Sequence, residues 1–411
     1  MNSISQDFAP PFKLIAPFFI LGGLFYIFAT IFLFFIPIQE VSFTDPKILS
    51  FVHIFLLGFV MMTIFGAMAQ LVPVVLEVGH FGVELFYSIW PLLGIGTILM
   101  GIGFLNSPQL LPYGGLIVLI ALMIFVMEIF LTIKKVEKFN IVMTSILISN
   151  TFLFFGIIFG LLMALGYAGT IDVNIATLLK SHVFLVIGGY ISITLMGLSL
   201  VLLPMFGLSH GFSKKPLEMA VILMSIAVVS VVVSSFANII ILEYIGYALA
   251  VVSLVVYFYL VQTIFKTRAR KELDIYTHSL TYAYFSMLIA LVLGVVYLFS
   301  SYEPLLLTSG WLIFFGFFGF AITGHVYKIV PFLVWFERFS PLVGKQKVPM
   351  LADMLPPKSS EAQLIFGAIG VSIVAIAILF QNDMILKAGA SFLVFGAVAF
   401  FRSLLYMINF K

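Results

Sequence analysis

Three times, at intervals of about 130 residues, the chain repeats one spacing of small residues and proline. Gly58 and Gly66 precede Pro73 in GFVMMTIFGAMAQLVP. Gly189 and Gly197 precede Pro204 in GYISITLMGLSLVLLP, and Gly316 and Gly324 precede Pro331 in GFFGFAITGHVYKIVP. In every copy the second glycine follows the first after eight residues and the proline follows after seven more. Each copy lies in an apolar run long enough to cross a bilayer. The pattern therefore restricts the fold to a membrane bundle built from three copies of one unit, a rarer plan than the twofold repeats of most transporters.

Composition decides the solvent. Sixty-three per cent of the 411 residues are hydrophobic and 9% are charged. A water-soluble domain cannot hide that much apolar surface, so the expected partner is lipid and no nucleic acid is expected. The absence of cysteine excludes disulfides, iron–sulfur clusters and thiol-attached haem. The first apolar stretch, 12–38, is too long for the core of a signal peptide and reads as a permanent span. No nucleotide-binding loop, catalytic triad or metalloprotease motif is present.

Apolar runs of spanning length centre near residues 25, 62, 93, 121, 153, 190, 227, 254, 291, 320, 372 and 397. Twelve helices follow, with 7 and 8 the least sharply divided, around Asn238 and Glu243. With the N-terminus in the cytoplasm, Lys13, Lys134, Lys135, Lys138, Lys214, Lys215, Lys266, Arg268, Arg270, Lys271, Arg338, Lys345, Lys347, Lys358 and Lys411 fall on the inner side. Only Lys47, Lys180 and Lys387 fall outside. This bias predicts that both termini are cytoplasmic, in a bacterial-type cytoplasmic membrane. The expected fold is all-α, one transmembrane domain over 1–411 made of three pseudo-symmetric four-helix blocks, about 1–137, 138–270 and 271–411. The triple pattern falls on the second helix of each block. Glycines eight apart share a helix face and admit a close neighbour, and the prolines sit where each helix reaches the inner interface.

Ionisable groups inside a membrane are costly and mark function. His53 and His182 open the second and sixth helices, five and seven residues before the first glycine of their copies. They read either as ligands of a haem or metal in the outer third of the membrane or as interfacial histidines bonded to a neighbouring hydroxyl or carbonyl. His80 and His210 follow the prolines of copies one and two, with Arg338 in the corresponding place in copy three. These three read as a solvated inner face, and His278 as structural. His325 and Lys328 lie deep in the tenth helix and form a polar site or extend to the interface. Glu128 pairs with Lys134 or Lys135 or serves a proton path, and Lys180 stands two residues before His182.

Here the residues resemble a known family, subunit I of the haem–copper oxidases and the related nitric oxide reductases. That family has twelve helices in three groups of four, and HIFLLGFVMMTIFGAMAQLVP looks like its helix 2. The resemblance makes His53 the ligand of a low-spin haem and His182 the counterpart of a copper ligand. The chain departs from the pattern at the other ligands. Val186 stands where the family often has tyrosine, and PLEMAVILMSIAVVSVVVSSFANII contains no histidine. Ser309 and Trp311 occupy the helix 10 ligand positions. Without those ligands a binuclear site is not expected, nor is copper, and the chain is not expected to be an oxidase by itself. The expectation is one b-type haem on His53 for electron transfer or haem or nitric oxide handling, beside other respiratory membrane subunits or a cytochrome. The rival is a threefold-repeat permease or channel for a small solute or ion, with Lys180, His182 and His325 on a polar path.

Overall fold

The computed structural model describes residues 8, 10–39 and 42–411; the first residues of the first block lie outside them. Among the described residues twelve helices are long and apolar enough to cross a membrane. They are α1 (Phe12–Phe35), α2 (Pro46–Leu76), α3 (Val83–Asn106), α4 (Pro108–Ile133), α5 (Ile141–Tyr167), α6 (Ile175–Gly207), α7 (Lys215–Ala237), α8 (Ile240–Thr267), α9 (Ile275–Ser300), α10 (Glu303–Arg338), α11 (Pro357–Leu379) and α12 (Asp383–Ile408). Extended pairing among the described residues is limited to an isolated antiparallel bridge between Ser209 and Arg268.

The helix ends are written in local sequence. Asp45, Asn140, Asn174, Asp274 and Asn382 each accept a backbone N–H of the first turn of α2, α5, α6, α9 and α12, satisfying donors that a helix start leaves orphaned. The weak division between α7 and α8 is made by Asn238, left-handed at φ 55°, a conformation asparagine tolerates better than most residues. After α2 and α6 the chain stops in the same way. Glu77 and Leu208 are both left-handed, which lets Val78 N–H and Ser209 N–H reach the carbonyls of Pro73 and Pro204 at 3.1 and 3.0 Å. In copy three this stop is missing, and α10 continues past Pro331 to Arg338.

The second helix of each block carries one further shared feature. Ile54–Met61 in α2, Phe184–Ser192 in α6 and Leu312–Phe318 in α10 are π-helical. Each segment begins four or five residues before the first glycine and contains it. A π turn takes one residue more than an α turn, which accounts for the spacing of eight. Gly58 and Gly66 face Phe25 and Phe18 of α1, Gly189 and Gly197 face Phe152 and Ser145 of α5, and Gly316 and Gly324 face Ser286 and Ser279 of α9. The facing residues are seven apart in all three pairs. Eight residues through a π turn thus keep step with seven on the α-helical neighbour. A Cβ on any of the six glycines would lie within 2.9 Å of the facing side chain, so the small residues are a packing requirement.

The chain folds as two compact units. The first holds Gln70–Gly96 and Pro108–Glu272, hence α4–α8, with the end of α2 and the start of α3. The second holds Pro10–Ala69, Thr97–Ser107 and Leu273–Lys411, hence α1, most of α2, the end of α3, and α9–α12. Within the second unit α1 is held at both ends by carboxylates from the third block. Glu337 accepts Phe12 N–H at 2.6 Å, and Asp383 accepts Ile38 N–H at 2.7 Å. The first of these places negative charge at a helix N-terminus, where the aligned peptide dipoles favour it.

Candidate functional site

His53 and His182 occupy the same place in their helices, seven residues after the first residue of α2 and of α6, or about 10 Å along the axis at 1.5 Å per residue. The Nδ1 of His53 lies 2.7 Å from the Leu49 carbonyl, and the Nδ1 of His182 lies 2.8 Å from the Gly156 carbonyl. A carbonyl oxygen only accepts, so each Nδ1 carries hydrogen and the neutral ring keeps its lone pair on Nε2. Histidines that bind metal are held in this way, with the second nitrogen donating to a carbonyl or carboxylate. Local sequence makes room for both rings. His182 packs on Gly160, where a Cβ would come within 3.1 Å of its Cε1, and His53 lies against Phe104, ring centres 4.9 Å apart.

The third copy is built differently. Trp311 stands five residues before Gly316, as His53 stands five before Gly58, and Ser309 stands seven before, as His182 does before Gly189. The Trp311 indole donates to the Val371 carbonyl at 2.9 Å, and the Ser309 hydroxyl to the Ala290 carbonyl at 2.9 Å. Trp311 stacks on Phe315 at 4.3 Å. Phe315 in turn stacks on Phe55 at 4.1 Å and Phe51 at 5.5 Å, and Tyr26 stacks on Phe59 at 4.5 Å. Within the second unit this aromatic core fills the α2–α10 contact. The residues therefore do not fit a haem held between α2 and α10 by two histidines. The His53 ring, with Nδ1 on the Leu49 carbonyl, is of the type that would hold a haem with a single protein ligand. Among the described residues no group of three or more His, Asp or Glu side chains is placed to hold a metal ion.

The remaining charged candidates are paired. Lys180 donates to Glu243 of α8 at 2.6 Å, and Tyr247 donates to the other oxygen of that carboxylate at 2.6 Å. Lys180 therefore ties α6 to α8 within the first unit. Lys328 does not extend alone to the interface; it is bonded to Asp274 at 2.5 Å. His325 sits beside it with Nδ1 on the Ala321 carbonyl at 2.7 Å and Nε2 3.3 Å from the Tyr276 hydroxyl. Glu128 pairs with neither Lys134 nor Lys135. It is fully buried and meets the Nδ1 of His80 at 2.8 Å. His80 is likewise not part of a solvated face, because its side chain is only 2% exposed. Lys135 lies above the pair, donating to the carbonyls of Gly79 and His80. His210 and His278 are exposed, and Arg338 donates to the Phe410 carbonyl. Sequence marks Glu243 only as a helix boundary, and nothing in the sequence marks Tyr247 or Tyr276 as a partner. Asp274 carries a local signal, an aspartate three residues before Thr277 at a helix start.

Asp274 precedes α9 and lies outside the spans. Burial opposes its ionisation, and the Lys328 ammonium, with the Thr277 amide and hydroxyl, outweighs it, so its carboxyl is held below the usual aspartate range. A lowered carboxylate contributes stability above its unfolded value and loses it as pH falls through the folded one. The wild type is therefore expected to lose thermal stability on acidification below the ordinary aspartate value of 3.8, and Asp274→Asn to lose less over the same range. The pair is partly exposed and therefore screened, so the expected difference is a few degrees in Tm or less. Identical acid profiles for the two proteins would contradict the assignment.

No protein-family model matches this chain, and a comparison with curated proteins finds no match.

Proposed function

We propose that this chain is a divergent membrane protein of the haem–copper-oxidase subunit I type, with both termini in the cytoplasm. It binds one b-type haem through His53 for electron transfer or for handling haem or nitric oxide, and does not reduce oxygen. One observation supports this reading: the Leu49 carbonyl accepts from Nδ1 of His53, the tautomer in which Nε2 carries the lone pair that a metal would need. The haem would supply one-electron chemistry or binding of a diatomic gas; His53 would anchor it, with Phe104 beside the ring. A reduced-minus-oxidised absorption spectrum of the purified protein, expressed with adequate haem, tests this. A b-type band is expected, weakened in His53→Ala and retained in His210→Ala. A spectrum without a haem band, or a band untouched by His53→Ala, would overturn the reading.

The second reading is a permease or channel for a small solute or ion on the same threefold scaffold. The aromatic core around Trp311 and Phe315 favours it, since those side chains fill the space between α2 and α10. A haem-free protein that speeds release of a trapped solute or ion from liposomes would establish this second reading in place of the first.

A further inference from the structure

In the first unit, the buried pair of Glu128 and His80 is unused by either reading of the outer histidines. Glu128 lies five residues before the end of α4, about 7.5 Å along the axis, with none of its side chain exposed. All of its hydrogen bonds converge on one oxygen. Oε1 receives His80 Nδ1–H at 2.8 Å, Thr132 O–H at 2.7 Å and Phe81 N–H at 3.1 Å. Phe81 N–H also reaches the Thr132 hydroxyl at 2.9 Å, which orients that hydroxyl toward the carboxyl. Oε2 is equally buried and has no hydrogen-bond partner.

A carboxylate delocalises its charge over both oxygens. An ionised Glu128 would leave half of that charge on an atom with neither solvent nor donor, the arrangement that protein interiors avoid most strongly. A hydrogen on Oε2 removes the charge and leaves the three donors on Oε1 undisturbed. The other ionisable groups on the elements around the pair are Glu77, Glu84, Tyr87, Lys134 and Lys135, and all of them are exposed. α5 brings none to this end, its one ionisable residue being Tyr167 at the opposite end. The charge of Glu128 is therefore balanced by His80 or by a proton of its own.

We propose that Glu128 is a reversible proton-binding site, loaded from the side we assign to the cytoplasm, with His80 as its positioning residue. Loading adds one H⁺ to Oε2. One O–H bond forms, no bond breaks elsewhere, and the charge of the pair rises by one. His80 closes the site from the loop between α2 and α3. The left-handed Glu77 turns that loop back over α4, and Lys135 fastens it by the Gly79 and His80 carbonyls. The ligand is the proton, and the inference is independent of haem.

Infrared spectroscopy of the full chain in liposomes reads this directly. A carbonyl stretch of a protonated carboxyl in apolar surroundings is expected. Its intensity should rise and fall reversibly with pH, and its frequency should shift on exchange into deuterated buffer. Glu128→Gln should remove the band. Glu128→Asp keeps a carboxyl if the glutamine variant fails to fold, and should displace the band. His80→Gln should keep the band and move its titration midpoint, which a merely structural histidine would leave in place. The absence of any titrating band in the wild type, or its survival in Glu128→Gln, would overturn the proposal.

Discussion

Gly58→Ala is expected to destabilise the protein by about 1–3 kcal/mol, the usual cost of forcing an extra methyl into a packed core. The new Cβ would overlap Cγ of Phe25 and stand 2.5 Å from its Cδ1 and 2.8 Å from its Cβ. Contact with the ring tip could be relieved by a small rotation; contact with Cβ requires the backbones of α1 and α2 to separate. Phe25 has little room to retreat, being 8% exposed. Phe25→Ala removes the ring and keeps the Cβ 2.8 Å from the new methyl, so it should rescue only part of the loss, with the pair non-additive in a double-mutant cycle. Gly189→Ala should behave alike, with Phe152 at 2.6 Å, whereas Gly310→Ala in α10 meets nothing within 4 Å and should be neutral or slightly stabilising. Thermal unfolding in detergent measures all of these. If Gly58→Ala were as stable as Gly310→Ala, the packing role of the triple pattern would be refuted.

Trp311→Ala should cost more, about 3 kcal/mol, the low end of the range for removing a large buried aromatic. The low end is chosen because the unfolded reference in a bilayer also keeps the ring away from water, so lost packing is the main term. The ring is 5% exposed and contacts Phe315 and Phe51, and its N–H holds Val371 of α11. Trp311→Phe keeps the stack and loses one hydrogen bond, an expected loss of about 1 kcal/mol. The ratio of the two losses is informative. Equal losses would mean that the hydrogen bond dominates and that the aromatic core contributes little.

Much of the architecture is legible in the chain itself. Twelve helices fall where twelve apolar runs fall, because in a bilayer every spanning backbone must satisfy its own hydrogen bonds and length and hydropathy are local properties. The caps Asn140, Asn174 and Asp274 and the punctuating Asn238 are local as well. The glycine spacing marks three helices that pack closely on a neighbour, although the π turns behind a spacing of eight are visible only in three dimensions.

The polar pairs are not legible in this way. His80 and Glu128 are 48 residues apart, Lys180 and Glu243 63, and Lys328 and Asp274 54. Which oxygen meets which nitrogen depends on helix neighbours and on rotation about each helix axis, and an apolar helix buried on several sides has almost no periodic signal to reveal that rotation. The same limit explains His80, whose sequence position matches a surface loop while its side chain turns inward to a carboxylate. It also explains Trp311. Sequence reveals that the third copy lacks a histidine ahead of its first glycine, and only the packed side chains reveal that an aromatic core occupies the place. What the sequence determined by itself was how many helices are long and apolar enough to cross a membrane, about where each is centred, and that three of them share one glycine–proline spacing. The tertiary structure decided the partners of Glu128, Lys180 and Lys328, because an ionisable group in apolar surroundings is costly without a partner and each of these partners comes from elsewhere in the chain.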